Sequence, residues 1–239
     1  MKRKSKLLSL LTLVAAAGLV LAACGEKNAG KPNPSPATVQ GGTPAKTPAG
    51  TPAATAGQPT PKKWTSMPAM SIDPKKNYVA TIDTTKGKFS VQLYAENAPK
   101  TVNSFVFLSK EGFYDNVKFH RIIKNFMVQT GDPAGNGTGG PGYTIPDEYA
   151  GTPFKYKTGT VAMANTGQPN SGGSQFFICM NDECGGLNSL PKYTIFGTVS
   201  EGFDVVQKIA DTPVRAGARG ELSDPTEEVK IKSITVKEQ

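Results

Sequence analysis

Phe119-His120-Arg121-Ile122-Ile123-Lys124-Asn125-Phe126-Met127-Val128-Gln129-Thr130-Gly131-Asp132 is the stretch on which the reading of this 239-residue chain turns. Its short apolar runs predict two strands in succession, over 117–123 and 126–129. Toward the N-terminus, 78–83 alternates apolar and polar residues, Lys86-Gly87 turns, and 89–93 alternates again, which predicts a hairpin. Pro99 then opens a helix with Val102, Phe105 and Val106 at i, i+3 and i+4, closing near Gly112. Toward the C-terminus, strands are expected over 160–164, 175–178 and 194–199. A second helix beginning near Gly202 carries Phe203, Val206 and Ile209, and 229–236 alternates as a final strand. Many short strands with only two helices predict a mainly β domain, a small closed barrel whose ends the helices cover.

That domain is expected over residues 71–239, behind two segments of different texture. Residues 1–23 begin MKRKSK and continue as an uncharged apolar run over 7–23, which is an export signal. The run has 17 residues, short of the roughly 20 that span a hydrocarbon core. It ends Leu21-Ala22-Ala23-Cys24, which resembles the bacterial lipobox. That resemblance implies cleavage before Cys24 and lipid attachment to it; an uncleaved anchor is the alternative, and both place the remainder outside the cytoplasm. More than one acyl chain is needed for firm membrane attachment. Residues 24–70 hold nine prolines among many Gly, Ala and Thr, with Trp64 as the one aromatic, so a disordered tether is expected there.

The net charge of +8 invites a nucleic-acid reading. Sorting the charges by segment removes it, because from residue 71 onward 18 basic residues face 18 acidic ones. The excess belongs to the targeting segments, and no basic footprint for nucleic acid remains on the domain.

The stretch 119–132 is similar to the signature of the cyclophilins. Asn136-Gly137-Thr138-Gly139-Gly140, Met163-Ala164-Asn165, Ser174-Gln175-Phe176-Phe177-Ile178 and Tyr193-Thr194-Ile195-Phe196-Gly197 follow in that family's order, and the likeness covers 77–239. It implies a closed eight-stranded antiparallel β-barrel capped by two helices, and peptidyl-prolyl cis-trans isomerisation. Rotation about a prolyl bond meets a resonance barrier of about 18–20 kcal/mol, and uncatalysed exchange takes on the order of 10–100 s. No bond breaks, so no nucleophile, metal or cofactor is called for; a site that favours the twisted amide suffices. As the amide twists, its nitrogen gains a localised lone pair, toward which a fixed guanidinium can donate.

The resemblance assigns that role to Arg121. It makes Phe126, Met127 and Phe177 the apolar floor under the proline ring. Gln129, Gln175 and the backbone of Ala164, Asn165 and Thr166 would bond the flanking peptide, with Gly137 lining the adjoining groove. Two departures stand out. The family often has a histidine where this chain has Tyr193, which can still wall the pocket. Many relatives carry a tryptophan in the preceding loop, here 185–191; its absence implies weak inhibition by cyclosporin and leaves Leu190 as the nearest pocket member. The expected partners are proline-containing segments of exported proteins and, through Cys24, the membrane; the expected state is a monomer. A slow peptide-binding or chaperone module of the same fold is the other reading, resting on Tyr193 and the altered loop.

Three further signals carry less. Residues 135–140 satisfy GxGxxG, but Pro141-Gly142 follow and block the helix that a dinucleotide site needs. His120 is the sole histidine, with no second ligand near it, and a hydrogen-bonded structural role on a strand is expected. Cys179 and Cys184 remain once Cys24 is lipidated. Export permits a disulfide between them, while the apolar run before Cys179 equally suits a buried thiol.

Overall fold

The computed structural model describes residues 62–189, 192–217 and 220–239. The expected signal, Cys24, the tether as far as residue 61, and Leu190 lie outside these residues.

β1 (Tyr78–Thr84) and β2 (Gly87–Leu93) form the expected hairpin, with Ala80 opposite Val91 and Ile82 opposite Phe89. Alternate residues of β1 are buried, as a strand with one face on a core requires. α1 (Pro99–Lys110) starts at the proline, and buries Val102, Phe105, Val106 and Leu108. Ala98 offers no side-chain cap; the Glu148 carboxylate accepts instead from the Lys100 and Thr101 N–H groups, at 3.0 and 2.8 Å. β3 (Arg121–Ile123), β4 (Met127–Thr130), β5 (Thr160–Met163) and β6 (Phe176–Cys179) follow. After them come a 3-10 helix (Asp182–Ser189), β7 (Ile195–Glu201) and α2 (Phe203–Ala210). The chain ends with the hairpin β8 (Val214–Ala216) and β9 (Leu222–Pro225), then β10 (Ile231–Glu238). The 3-10 helix and the β8–β9 hairpin were not expected from the sequence.

Eight strands join in one antiparallel sheet in the order β10-β1-β2-β7-β5-β6-β4-β3. Bulges at Asp83/Thr84, Ser90/Val91 and Val161/Ala162 curl it. The strand count and antiparallel pairing agree with expectation, but the closed barrel does not form. β10 and β3 remain edges of the sheet, and β3 is only three residues long. The chain preceding β3 makes three backbone bonds, from 116–119 to Val229 and to Ile231 at the start of β10, too few for a ladder. The result is a curled half-barrel around Phe89, Phe105, Tyr114, Phe176 and Phe196.

β4, β5 and β6 depart from the one-sided pattern. All four residues of β6 are buried. Phe176 and Ile178 enter the main core, while Phe177 and Cys179 enter a second apolar cluster with Met127, Ala162, Tyr156 and Ile195. Period-two geometry therefore sends neighbouring residues into two separate clusters.

Residues 62–70, expected as the end of the tether, lie instead on the domain. Trp64 is half-buried, its ring 5.2 Å from that of Phe107 and 5.9 Å from that of Phe113. The Trp64 backbone N–H donates to the Pro141 carbonyl at 2.8 Å. The approach requires Gly142, which has φ +94° and whose Cβ, if present, would sit 2.5 Å from the Trp64 carbonyl oxygen. Asn103 on α1 secures the rest, donating to the Ala69 carbonyl and accepting from the Ser71 N–H. Trp64→Ala should lower unfolding free energy by about 1–2 kcal/mol, less than loss of a fully buried ring. A reduced urea midpoint at unchanged m-value would show it; an unchanged midpoint would mean the arm adds no stability.

Candidate active site

The strand registers place one row of side chains across the curled sheet. Arg121 on β3 lies opposite Gln129 on β4, Gln129 opposite Phe177 on β6, and Phe177 opposite Ala162 on β5. Directly opposed residues share a face, so the row runs from a guanidinium through an amide to an apolar floor. Met127 and Phe177 are 2% and 5% exposed, and Phe126, Ala164, Leu187 and Tyr193 pack around them half-buried. Phe126 sits in the β3–β4 turn, where its N–H bonds the Ile123 carbonyl at 3.1 Å.

A chain of hydrogen bonds crosses the polar end of the row. Arg121 Nη1 donates to Gln129 Oε1 at 3.3 Å, Gln129 Nε2 to Gln175 Oε1 at 3.0 Å, and Gln175 Nε2 to the Gly139 carbonyl at 2.9 Å. On the other side of the guanidinium stands Glu221, bonded by Nε at 2.8 Å and Nη2 at 3.0 Å. Ala164 and Thr166 already use their N–H groups inside the protein, on the Gln175 carbonyl and Ser171 Oγ. Asn165 is half-buried and its side chain is tied to the Lys192 carbonyl at 2.8 Å. The N–H groups of Ala164 and Thr166 are thus engaged within the protein.

The glycine-rich stretch wraps a carboxylate. Asp132, with no exposed surface, accepts from the N–H groups of Ala134 (2.7 Å), Asn136 (2.9 Å) and Gly137 (2.5 Å). A Cβ on Gly139 would stand 2.0 Å from Asp132 Oδ1, so only glycine closes the loop. Burial alone would push the Asp132 carboxyl up, but the backbone N–H groups around it outweigh burial and hold it below the usual range. Beneath this loop lies His120, 3.8 Å from where a Gly137 Cβ would be. It corrects the expectation of a hydrogen-bonded strand residue. Among the described residues neither ring nitrogen has a hydrogen-bond partner, though both are buried, and His120 precedes β3 rather than lying within it. Burial lowers its pKa, against a smaller opposing pull from Asp132.

Tyr193 walls the floor, its ring 5.3 Å from that of Phe177 at 88°. Tyr156, which sequence reasoning missed, fixes it: its hydroxyl donates to the Tyr193 carbonyl and accepts from the Tyr193 N–H. Burial raises the Tyr156 pKa, which keeps the hydroxyl a donor. Cys179 and Cys184 form a disulfide, with Cα atoms 5.8 Å apart, tying the 3-10 helix to the end of β6. Glu221 was also missed. It lies 100 residues from Arg121 in sequence, and no local pattern connects them.

Comparison with known proteins gives the family. The family described as "Cyclophilin type peptidyl-prolyl cis-trans isomerase/CLD" matches residues 79–236. A Helicobacter pylori peptidyl-prolyl cis-trans isomerase is 46% identical over 137 residues, covering 56% of this chain and 81% of its own. An Aspergillus fumigatus peptidyl-prolyl cis-trans isomerase-like 1 is 44% identical over 156 residues, covering 62% of this chain and 89% of its own. The crystal structure of a Cryptosporidium parvum cyclophilin type isomerase superposes with a TM-score of 0.58 at 33% identity, covering 67% of this chain and 98% of that one. A second crystal structure of that protein, in the presence of the dipeptide Ala-Pro, superposes with a TM-score of 0.57. With the matched segment spanning most of the chain, this protein belongs to the cyclophilin-type peptidyl-prolyl cis-trans isomerases.

Proposed function

We propose that this isomerase acts on proline-containing segments of exported proteins at the outer face of a membrane, with Arg121 as its catalytic donor. The row Arg121–Gln129–Phe177–Ala162 supports the assignment, because it sets a guanidinium and an amide on the same face as an apolar floor. A proline bound there would rest on Met127, Phe177 and Phe126, with Tyr193 as a wall. Its amide would lie toward Arg121, which donates to the nitrogen only as that nitrogen leaves conjugation. Gln129 and Gln175 hold the flanking peptide, and Gly137 leaves room for it. The Ala-Pro dipeptide in crystals of the Cryptosporidium relative is of this ligand chemistry.

The export half of the reading rests on the sequence MKRKSK, the apolar run over 7–23 and Cys24. In an exporting bacterial host, Cys24→Ala should abolish the lipid mass increment on the mature chain and move it from the detergent to the aqueous phase. Unchanged mass and partitioning would refute lipid attachment while leaving the isomerase assignment untouched.

A further inference from the structure

We propose that Glu221 is a positioning residue for the isomerase reaction, holding the Arg121 guanidinium in the orientation that the twisting amide requires. The inference rests on the reading of Arg121 as the catalytic donor. Glu221 arrives from the β8–β9 hairpin, where the Gly217 N–H bonds its carbonyl at 2.8 Å and the Gly220 N–H bonds the Gly217 carbonyl at 2.9 Å. Its backbone is therefore fixed independently of Arg121. The carboxylate meets the guanidinium side-on through Nε and Nη2, at 2.8 and 3.0 Å.

For folding this is an ordinary surface ion pair, and only its geometry sets it apart. Both side chains are more than a third exposed, at 37% and 38%, and such pairs add only about 0–1 kcal/mol to folding. The fold has little need of it. The geometry, in contrast, is directional: two parallel bonds fix the plane of the guanidinium, which a single contact cannot do. Without Glu221 the remaining tie is one 3.3 Å bond from Nη1 to Gln129, and a long side chain held at one point keeps much of its rotamer freedom. The reaction has no covalent step, so donor orientation is most of what the protein supplies. Of the five N–H groups on a guanidinium, these three bonds use three and leave two on the Nη atoms to face the substrate.

The carboxylate also reduces the local positive charge, and this separates positioning from its opposite, a brake on Arg121. The test is prolyl isomerisation of an Xaa-Pro peptide by the full chain, with Glu221→Ala, Glu221→Gln, Arg121→Ala and the double variant Glu221→Ala/Arg121→Ala. Glu221→Ala is expected to lower kcat about tenfold, the scale of losing one orienting contact, with KM within twofold. Glu221→Gln, which retains one acceptor oxygen, should lose less. Removal of Glu221 should cost nothing further once Arg121 is Ala, since the two act as a unit. Unchanged or faster turnover in Glu221→Ala would overturn the proposal, as would an equal loss in the Arg121→Ala background or a change confined to KM. Full turnover by Arg121→Ala would instead defeat the assignment of Arg121 itself. Should Glu221→Ala fold poorly, the isosteric Glu221→Gln alone decides: a drop in kcat at constant KM supports the proposal and an unchanged kcat overturns it.

Discussion

Arg121→Ala is expected to lower kcat/KM for an Xaa-Pro peptide about a hundredfold, the scale on which removal of one preorganised donor acts. That corresponds to about 2.7 kcal/mol of lost preference for the twisted amide. Stability should scarcely change, because the side chain is 37% exposed and its partner Glu221 is 38% exposed. Arg121→Lys should resemble the alanine variant more than the parent. Lysine keeps the charge but loses the planar fork that meets Glu221 and Gln129 together. Exchange spectroscopy on the peptide, with a thermal melt of each variant, reads both quantities. Near-parental turnover in the alanine variant would remove Arg121 from its role.

Asp132→Ala should destabilise the domain by about 3 kcal/mol, the scale of buried N–H groups losing a charged acceptor. For a protein of this size that is roughly 6–12 °C in Tm. The N–H groups of Ala134, Asn136 and Gly137 all converge on this fully buried side chain. Activity should fall with stability, because the loop it organises carries Gly137 and the Gly139 carbonyl that anchors Gln175. The carboxyl also has a pH signature. Its folded-state pKa is lowered, so its contribution is fully present above the unfolded value near ~4 and is lost as pH falls through the folded value. Asp132→Asn cannot ionise, so the stability gap between it and the parent should narrow below about pH 4. A gap that stays constant into acid would show that the charge contributes nothing.

The succession of strands along the chain was legible because its information is local, whereas the site residues came from resemblance to the cyclophilins and not from local pattern. Alternation over 78–83 and 89–93 predicts a hairpin that forms with Ile82 against Phe89. The helix at Pro99 buries the Val102, Phe105 and Val106 that its spacing selects. What escaped depends on distant partners. Trp64 stands in a proline-rich segment, and only Phe107, Phe113 and the bare Gly142 explain why it packs. The 3-10 helix at Asp182–Ser189 has two adjacent glycines and little apolar periodicity, and it is held by Cys184 to Cys179. Closure of the barrel hinged on whether β3 and β10 would pair, and three residues of β3 gave no clue. Glu221 reaches Arg121 by a hairpin that the sequence, read locally, passes as loop.

The double burial of β4 and β6 also bears on how the gene can drift. Phe176 and Ile178 belong to the main core while Phe177 and Cys179 belong to the second apolar cluster, and Val128 and Met127 divide likewise. A single inserted or deleted codon inside either strand would exchange the two sets, since a one-residue slip flips every side chain. Length changes there would strike folding and turnover together. The β1–β2 turn, at residues 85–86, carries a member of neither set, and a length change there would leave both clusters in register.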